Sequence, residues 1–447
     1  MNLLLTEQAE GRPNASRPTN PPVNHPTTAR SRISTSAGRP RRTWSMSVLA
    51  VGSALWLLFA FVPRPGTVRT YLGPTMSEDD LGRHIEQRRQ ELGIPGLTVA
   101  IINGGSVVFT DTFGHADVAA GLPVTDRTIF EAASLSKPMF AHFVMTFVED
   151  GSLDLDRPLV EYLPHPEVTD PRGDTVTARM VLSHQAGFPN WRDGGQSATL
   201  PIAFEPGTDF EYSGEGYQYL ARVLAEVAGT DWAGLDRLFQ ERIAEPLGLS
   251  DTTFVAGTET LLRKAEPYDE TGTRIEDSTN TAATGSGADI SVEDGTFVAG
   301  ASVHTTAADF ATWMIAVADR QLLGPAAYDE LLAPHASPPD EGLPLAYTLG
   351  FYAVQLPLTD LYGHGGNNHG FTSFFMIDVD DDWGFVVLTN SEYGQQFGEE
   401  LLSHLVIGPS PARLMITVAA AGFWLVAVAA GAVTLLRRRR SIANAGR

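Results

Sequence analysis

Cysteine is absent from the 447 residues of the chain. Structural disulfides and cysteine-based metal sites are therefore excluded, and cysteine usage gives no information about the redox compartment. The length allows two or three ordinary domains or one large domain.

Lysine is nearly absent too, since Lys137 and Lys264 are the only two in the chain. Most basic residues are arginines, and they are unevenly spread: residues 1–65 hold 8 Arg and 2 acidic residues, and residues 412–447 hold 6 Arg and no acid. The body between them carries 17 basic and 51 acidic residues. A body this acidic repels a polyanion, so nucleic acid is not expected as a partner.

Charged residues are missing from two long runs. Residues 44–62 carry no charge and follow a group of arginines, and residues 414–436 carry none and precede four arginines. Runs of this length predict two membrane-spanning helices, with the lipid bilayer as a partner. A cleavable signal peptide is the alternative for the first run. The flanking arginines place both termini in the cytoplasm and the acidic body outside it, at the cell membrane.

Composition divides the rest of the chain. Residues 1–43, rich in Pro, Arg, Ser and Thr, are predicted to be a disordered, basic cytoplasmic tail. Residues 63–77 are predicted to be a linker, 78–408 the folded domain, and 437–447 a second basic cytoplasmic tail.

The patterns in the body predict strands near its two ends and helices between them. Early elements are a helix over 78–92 and a hairpin of 97–103 with 106–113; late ones are strands over 348–355, 371–377 and 384–389 and a helix over 394–406. Helices at 215–229 and 232–247 dominate the middle. The expected fold class is α/β (α+β): an antiparallel sheet built from N- and C-terminal strands, flanked by helices, with an inserted helical lobe. A site is expected in the cleft between sheet and lobe.

Ser134 and Lys137 form a short pattern just before an apolar helical run, Ser134-Leu135-Ser136-Lys137. Residues three apart share a helix face, so the hydroxyl and the amine are expected to meet in the first turn. A desolvated, neutral lysine can take the proton of a serine hydroxyl and make it a nucleophile.

Further candidates follow on glycine-rich loops. Tyr212 precedes a helix and is placed to shuttle a proton, with a core tyrosine as the alternative. The stretch His364-Gly365-Gly366-Asn367 permits close approach of backbone to a substrate. Trp191 is a candidate for stacking on a ligand, with core packing as the alternative; its loop and residues 265–300 are expected to line the cleft.

Two other histidines need a separate interpretation. His184 ends a helix and is predicted to be a structural hydrogen-bonding residue near the cleft. His364 and His369 lack the one-face spacing of a helical metal pair, so no metal site is predicted, although it stays an alternative. No cofactor is implied.

Ser134-Leu135-Ser136-Lys137, then Tyr212-Ser213, then His364-Gly365-Gly366, in this order, resemble the serine β-lactamase and penicillin-binding-protein-like family. The similar branch contains class C β-lactamases, D-aminopeptidases, DD-carboxypeptidases and related esterases. The resemblance covers roughly residues 79–406 and implies a β-lactamase-like fold.

The resemblance also implies roles for these residues. Ser134 would be the nucleophile that forms an acyl-enzyme, Lys137 would accept its proton, and Tyr212 would assist. The backbone N–H groups of Ser134 and Asn367 would form the oxyanion hole, and His364 would contact the substrate or the Tyr212–Lys137 pair. Substrate would lie along Gly365 and Gly366.

Two positions depart from the family pattern. Gly214 stands where an asparagine amide usually contacts the substrate, and His364 replaces a lysine that is a permanent cation. These changes argue against an efficient β-lactamase. The sequence therefore predicts a membrane-tethered, extracytoplasmic serine hydrolase acting on a small-molecule or peptide substrate, an amide or an ester. The alternatives are a penicillin-recognising envelope protein with little or no turnover, and a processing peptidase for an exported peptide or metabolite.

Overall fold

The computed structural model describes residues 41–62, 64–192, 199–275, 295–339, 344–408 and 411–445. Within them the strands are β1 Thr67–Arg69, β2 Thr75–Ser77, β3 Gly96–Asn103, β4 Ser106–Asp117, β5 Leu122–Pro123, β6 Phe130–Glu131, β7 His304–Thr305, β8 Leu345–Tyr347, β9 Tyr352–Gln355, β10 Asp360–Asn367, β11 Thr372–Asp378 and β12 Trp383–Thr389. The helices are α1 Arg41–Phe61, α2 Glu78–Leu92, α3 Ser136–Glu149, α4 Ala178–Leu182, α5 Gly214–Ala228, α6 Trp232–Phe239, α7 Glu245–Leu247, α8 Thr258–Arg263, α9 Ala307–Ala318, α10 Pro325–Leu332, α11 Gly394–Ile407 and α12 Pro411–Ala445.

Eight of these strands form one sheet in the order β5-β4-β3-β12-β11-β10-β9-β8, and all neighbouring strands are antiparallel. The pairing of β3 with β12 joins the early strands to the late ones at the centre of the sheet. Helices α3 to α10 lie in the sequence between the two groups of strands. The prediction of a mixed α/β fold is confirmed.

The central strands are buried on both faces. In β3, Ala100 and Ile102 pack into the core shared with the helical lobe, whereas Val99 and Ile101 pack into the core beneath α2 and α11. Successive side chains of a strand point to opposite faces, so an unbroken apolar run can serve two cores.

Local signals explain why α2 begins and ends where predicted. The Ser77 side chain caps the helix by accepting from the Asp80 N–H, and the first turn is acidic. Gly93 ends it with φ of 69°, a left-handed conformation that glycine adopts readily.

Two late elements differ from prediction. Of the single strand expected over 348–355, only β9 is a strand, because the residues before it form the turn from β8, which pairs with β9. The glycine-rich stretch forms a full strand, β10, that pairs with β11 along Leu361–Asn367. Glycine has a low strand propensity, and here tertiary pairing overrides it.

The prediction of two membrane-spanning helices, at 44–62 and 414–436, is wrong: among the described residues, no helix is long and apolar enough to cross a membrane. The prediction relied on length and absence of charge. A crossing needs about 20 predominantly apolar residues. Three serines dilute the first run, and alanine and glycine dominate much of the second.

The domain boundaries and the extracytoplasmic location stay predictions. Most of the expected tail 1–43 lies outside the described residues, as does residue 63 of the expected linker. The rest of that linker contains the hairpin of β1 and β2.

Candidate active site

Ser134 lies in a single 3₁₀ turn, Ala133–Leu135, that leads directly into α3. Ala133 has φ of 49°, which is unusual for a residue other than glycine. The Ser136 hydroxyl holds the turn by donating to the Ala133 carbonyl over 2.6 Å and accepting from the Val303 N–H over 3.0 Å. Strain of this kind persists only where surrounding contacts hold it, which is common at functional sites.

Lys137 places its amine beside the Ser134 hydroxyl. The distance between Lys137 Nζ and Ser134 Oγ is 3.2 Å, and the amine donates to the Gly300 carbonyl over 3.0 Å. Lys137 is only 1% exposed, and this burial lowers the pKa of its amine to about 7. The amine is therefore able to lose its proton near neutral pH.

Tyr212 approaches the same hydroxyl from the loop before α5. Its phenol hydrogen-bonds the Ser134 side chain, and its ring centroid lies 4.5 Å from Lys137 Nζ. Burial raises the Tyr212 pKa well above its ordinary value, although the hydrogen bond to Ser134 acts in the opposite direction. The group is thus a neutral phenol at physiological pH and can donate a hydrogen bond.

Strand β10 passes beside the Ala133–Leu135 turn that carries Ser134. A Cβ added to Gly366 would lie 2.9 Å from the Ser134 backbone N, so a glycine is required at this approach. A Cβ on Gly365 would face Gln395 instead. Asn367 ends the strand and directs its side chain to Glu392. Its backbone role in an oxyanion hole stays a prediction.

His364 is buried on the same strand, 3% exposed. Its Nε2 lies 3.2 Å from the Tyr347 hydroxyl and its Nδ1 lies 2.5 Å from the Gly365 carbonyl. Burial, with a smaller contribution from Lys137, lowers the His364 pKa to about 3. The ring is 6.0 Å from that of Tyr212, so it borders the site as a neutral group.

Trp191 lies against Gly214, the position at which the family pattern has asparagine. A Cβ on Gly214 would lie 2.5 to 2.7 Å from three atoms of the indole ring. Trp191 also packs against Val298 and Ala301. The tryptophan fills the space that a side chain at position 214 would need.

Sequence reasoning missed Tyr347, which contacts His364, and it missed the role of Gly300, the last residue of the segment expected to line the cleft, which contacts Lys137. A backbone carbonyl acceptor leaves no mark on residue type, and Tyr347 looks like any strand tyrosine. The second lysine, Lys264, was noted only for its rarity. It forms a buried 2.8 Å ion pair with Glu131, whose other oxygen accepts from the Asn368 amide over 2.7 Å.

The two histidines considered as a metal pair, His364 and His369, have different surroundings. His369 is exposed and lies 3.2 Å from Glu392, whereas His364 is buried beside Tyr347. Of the segment 265–300 expected to line the cleft, residues 276–294 lie outside the described residues.

Comparison with known proteins identifies the family of the chain. A model of the family described as Beta-lactamase matches residues 81–406. The chain is 26% identical over 287 residues to a Bacillus subtilis (strain 168) protein named "Putative penicillin-binding protein PbpX", covering 62% of this chain and 66% of that protein. It is 28% identical over 212 residues to esterase EstB of Burkholderia gladioli, covering 41% of this chain and 52% of that esterase. The chain thus spans less than two thirds of the lengths of these relatives.

A solved structure, the octameric penicillin-binding protein homologue from Pyrococcus abyssi, has the same fold. Its TM-score is 0.62 at 23% identity, covering 75% of this chain and 78% of that one. The predicted family and the predicted enzyme class are confirmed, because the matching model covers most of the chain. This chain belongs to the β-lactamase and penicillin-binding-protein-like family of serine hydrolases.

Proposed function

We propose that this serine hydrolase forms its acyl-enzyme on Ser134 and acts on uncharged esters or amides. The observation that carries the proposal is the 3.2 Å contact between the Ser134 hydroxyl and the buried Lys137 amine. A serine needs an adjacent base, and a lysine with a pKa of about 7 is one.

In acylation, the Ser134 oxygen attacks the substrate carbonyl carbon and its proton passes to neutral Lys137. The Gly300 carbonyl holds the amine in place and can accept a hydrogen bond from both its neutral and its charged form. The resulting oxyanion would lie between the backbone N–H groups of Ser134 and Asn367, at the close approach of β10.

Tyr212 serves as a neutral relay. Because its pKa is raised by burial, it does not act as a phenolate base. Its hydrogen bond with Ser134 supports a role in passing the proton from Lys137 to the leaving group. In deacylation, Lys137 would take a proton from the attacking water, with Tyr212 as the relay, and return it to the Ser134 oxygen as the acyl bond breaks, which releases the acid and restores Ser134.

The charge of the site supports the preference for uncharged substrates. His364 is neutral, and the nearby Arg192 is buried in an ion pair with Glu215. The second lysine of the chain, Lys264, is likewise held in a buried ion pair, with Glu131. The internal segments 193–198, 276–294 and 340–343, which the structure does not describe, contain no Lys, Arg or His. A substrate carboxylate would thus enter without a partner, which is costly in a partly desolvated site.

The esterase name of one relative supports the ester half of the proposal. Trp191, lying where an amide side chain would otherwise contact substrate, supports recognition of the acyl group by apolar contact.

The test is a parallel measurement of kcat/KM on p-nitrophenyl acyl esters, D-aminoacyl amides, a β-lactam, and a peptide ending in a free carboxylate. We expect neutral substrates to exceed matched carboxylate-bearing ones by about 100-fold. Faster turnover of the carboxylate-bearing peptide would refute the substrate class.

A fluorophosphonate probe tests the nucleophile. The native protein and Ser152→Ala, which alters an exposed serine beyond α3, should label equally, whereas Ser134→Ala should not label. Equal labelling of Ser134→Ala would remove Ser134 from the mechanism.

A further inference from the structure

The Tyr347 hydroxyl lies between two buried histidines. It is 3.1 Å from His184 Nε2 and 3.2 Å from His364 Nε2, and the tyrosine is fully buried. Burial also keeps both imidazoles neutral by lowering their pKa values. Each neutral ring has one N–H donor and one bare nitrogen acceptor.

The outer partners of the two rings fix the direction of every hydrogen bond. The Ser213 backbone N–H can only donate, so His184 Nδ1, at 3.0 Å, is the bare nitrogen. His184 Nε2 then carries the proton and donates to the Tyr347 oxygen. At the other end the Gly365 carbonyl can only accept, so His364 Nδ1 carries the proton and Nε2 accepts from Tyr347.

The result is one continuous hydrogen-bonded chain with a single polarity, from the Ser213 N–H through His184, Tyr347 and His364 to the Gly365 carbonyl. We call it the His–Tyr–His chain. Tyr347 is the one member that must donate to one histidine and accept from the other, and a phenol does both.

The two ends of the His–Tyr–His chain are the segments that would carry the chemistry. Ser213 directly follows Tyr212, and its side chain caps α5 by accepting from the Gly216 N–H. Gly365 directly precedes Gly366, which lies against the Ser134 backbone. The His–Tyr–His chain therefore links the loop that carries Tyr212 to β10, the strand that carries Asn367 of the expected oxyanion hole.

The backbone at His184 indicates that its side chain is needed there. His184 follows the C-terminal end of α4 with φ of 60°, in the left-handed region where helices commonly place glycine. A histidine at such a position is strained, because its Cβ crowds the backbone in the left-handed conformation. Its ring is fully buried and packs against Tyr212 with 4.4 Å between centroids.

We propose that Tyr347 is a positioning residue of the hydrolase: its hydroxyl bridges His184 and His364, whose tautomers their outer partners set, and so holds Tyr212 and β10 at their working separation across the cleft. The proposal rests on the proposed function of Ser134. In this proposal His364 is a member of the His–Tyr–His chain and transfers no proton to the substrate.

Tyr347→Phe tests the proposal, because it keeps the ring and its packing on Tyr352 and removes the hydroxyl. We expect kcat on a p-nitrophenyl ester to fall about 10- to 100-fold, with KM changing less than about threefold, since misplaced catalytic groups weaken the transition state more than ground-state binding. The matched control is Tyr219→Phe, which removes a buried phenol that donates to the Leu163 carbonyl, away from the site. Its kcat should stay within about twofold. Native kcat in Tyr347→Phe would overturn the proposal.

Histidine-selective ¹⁵N labelling supplies a readout that does not depend on turnover. Two-bond ¹⁵N–¹H spectra of the native protein should show His184 protonated at Nε2 and His364 at Nδ1, and Tyr347→Phe should disturb both signals while Tyr219→Phe disturbs neither. The opposite tautomer at either ring, or unchanged signals in Tyr347→Phe, would overturn the proposal. If the native protein neither labels nor turns over, the proposed function fails, and the spectra still decide whether the His–Tyr–His chain exists.

Discussion

At the scale of single residues, the burial of Lys137 determines how the protein should respond to pH. Its pKa is lowered to about 7, so the amine is charged and inactive as a base below that pH and neutral above it. We expect kcat/KM for an uncharged ester to rise through pH 7 and then level off, measured between pH 5 and 9 in a buffer of constant ionic strength.

Two variants of Lys137 accompany that profile. Lys137→Arg should acylate no faster than Lys137→Ala, because an arginine does not give up its proton. A flat profile, or an active arginine variant, would mean that another group accepts the serine proton.

The same lysine should lower stability. The unfolded chain binds a proton on Lys137 up to a pH near 10.4, whereas the folded protein releases it near 7, so the free energy of unfolding should increase as pH rises between these values. We expect Lys137→Met, at pH 8, to gain about 1–3 kcal/mol in urea unfolding while losing acylation. A loss of stability in this variant would show that the amine's hydrogen bonds outweigh its desolvation.

Gly214 and Trp191 form a pair whose substitutions should be coupled. Gly214→Asn pushes a side chain into the indole ring, so we expect about 1–3 kcal/mol of destabilisation and a loss of activity of tenfold or more. Adding Trp191→Ala opens the space, and the double variant should recover part of both losses. Additive losses in urea unfolding and in kcat/KM would contradict direct competition for this space.

At the scale of elements, the two faces of β10 meet different neighbours, and only the face of Gly366 lies against Ser134. Gly366→Ala would place a methyl group 2.7 Å from the Ala132 carbonyl and 2.9 Å from the Ser134 N, so the strand must move away from the turn. We expect kcat to fall about 100-fold, as for loss of an oxyanion donor. Gly365→Ala should cost less, because its methyl group would meet the flexible end of Gln395 at 3.4 Å. Similar losses in both would argue against a face-specific contact.

The elements also show what the sequence could predict. Strong local signals were sufficient for α2, with its Ser77 cap and Gly93 end, and for the hairpin of β3 and β4. They were insufficient for β10, whose glycines gain strand structure from pairing with β9 and β11. The site followed the same division: Ser134 and Lys137 are close in sequence, whereas Gly300 reaches Lys137, and Tyr347 reaches His364, only through tertiary structure.

At the scale of the whole molecule, burial of neutral histidines should make the protein sensitive to acid. Six of them have pKa values lowered chiefly by burial: His84, His142, His165, His184, His364 and His404. Below pH 6.5 the unfolded chain protonates its histidines while the folded protein resists. The free energy of unfolding should therefore fall by a few kcal/mol as pH drops from 6.5 towards 4.

Urea unfolding across that range measures the effect, and one variant localises part of it. His404 stacks on His84 with 3.7 Å between ring centroids, so His404→Gln should make the fall shallower. His115→Gln, at an exposed position, should leave it unchanged. Constant stability from pH 7 to 5 would contradict the expected role of these side chains.

The hydrogen bond from the Ser373 hydroxyl to the Ala132 carbonyl, beside the nucleophile turn, joins residues 241 positions apart. During synthesis Ser134 therefore leaves the ribosome long before β10 and β11, the strands that lie against its turn. The site stays unassembled until β10 to β12 arrive and pair with β3. Under the proposed function, Ser134 can act only after these strands have paired, so a nascent chain that lacks them is expected to carry the serine without the activity.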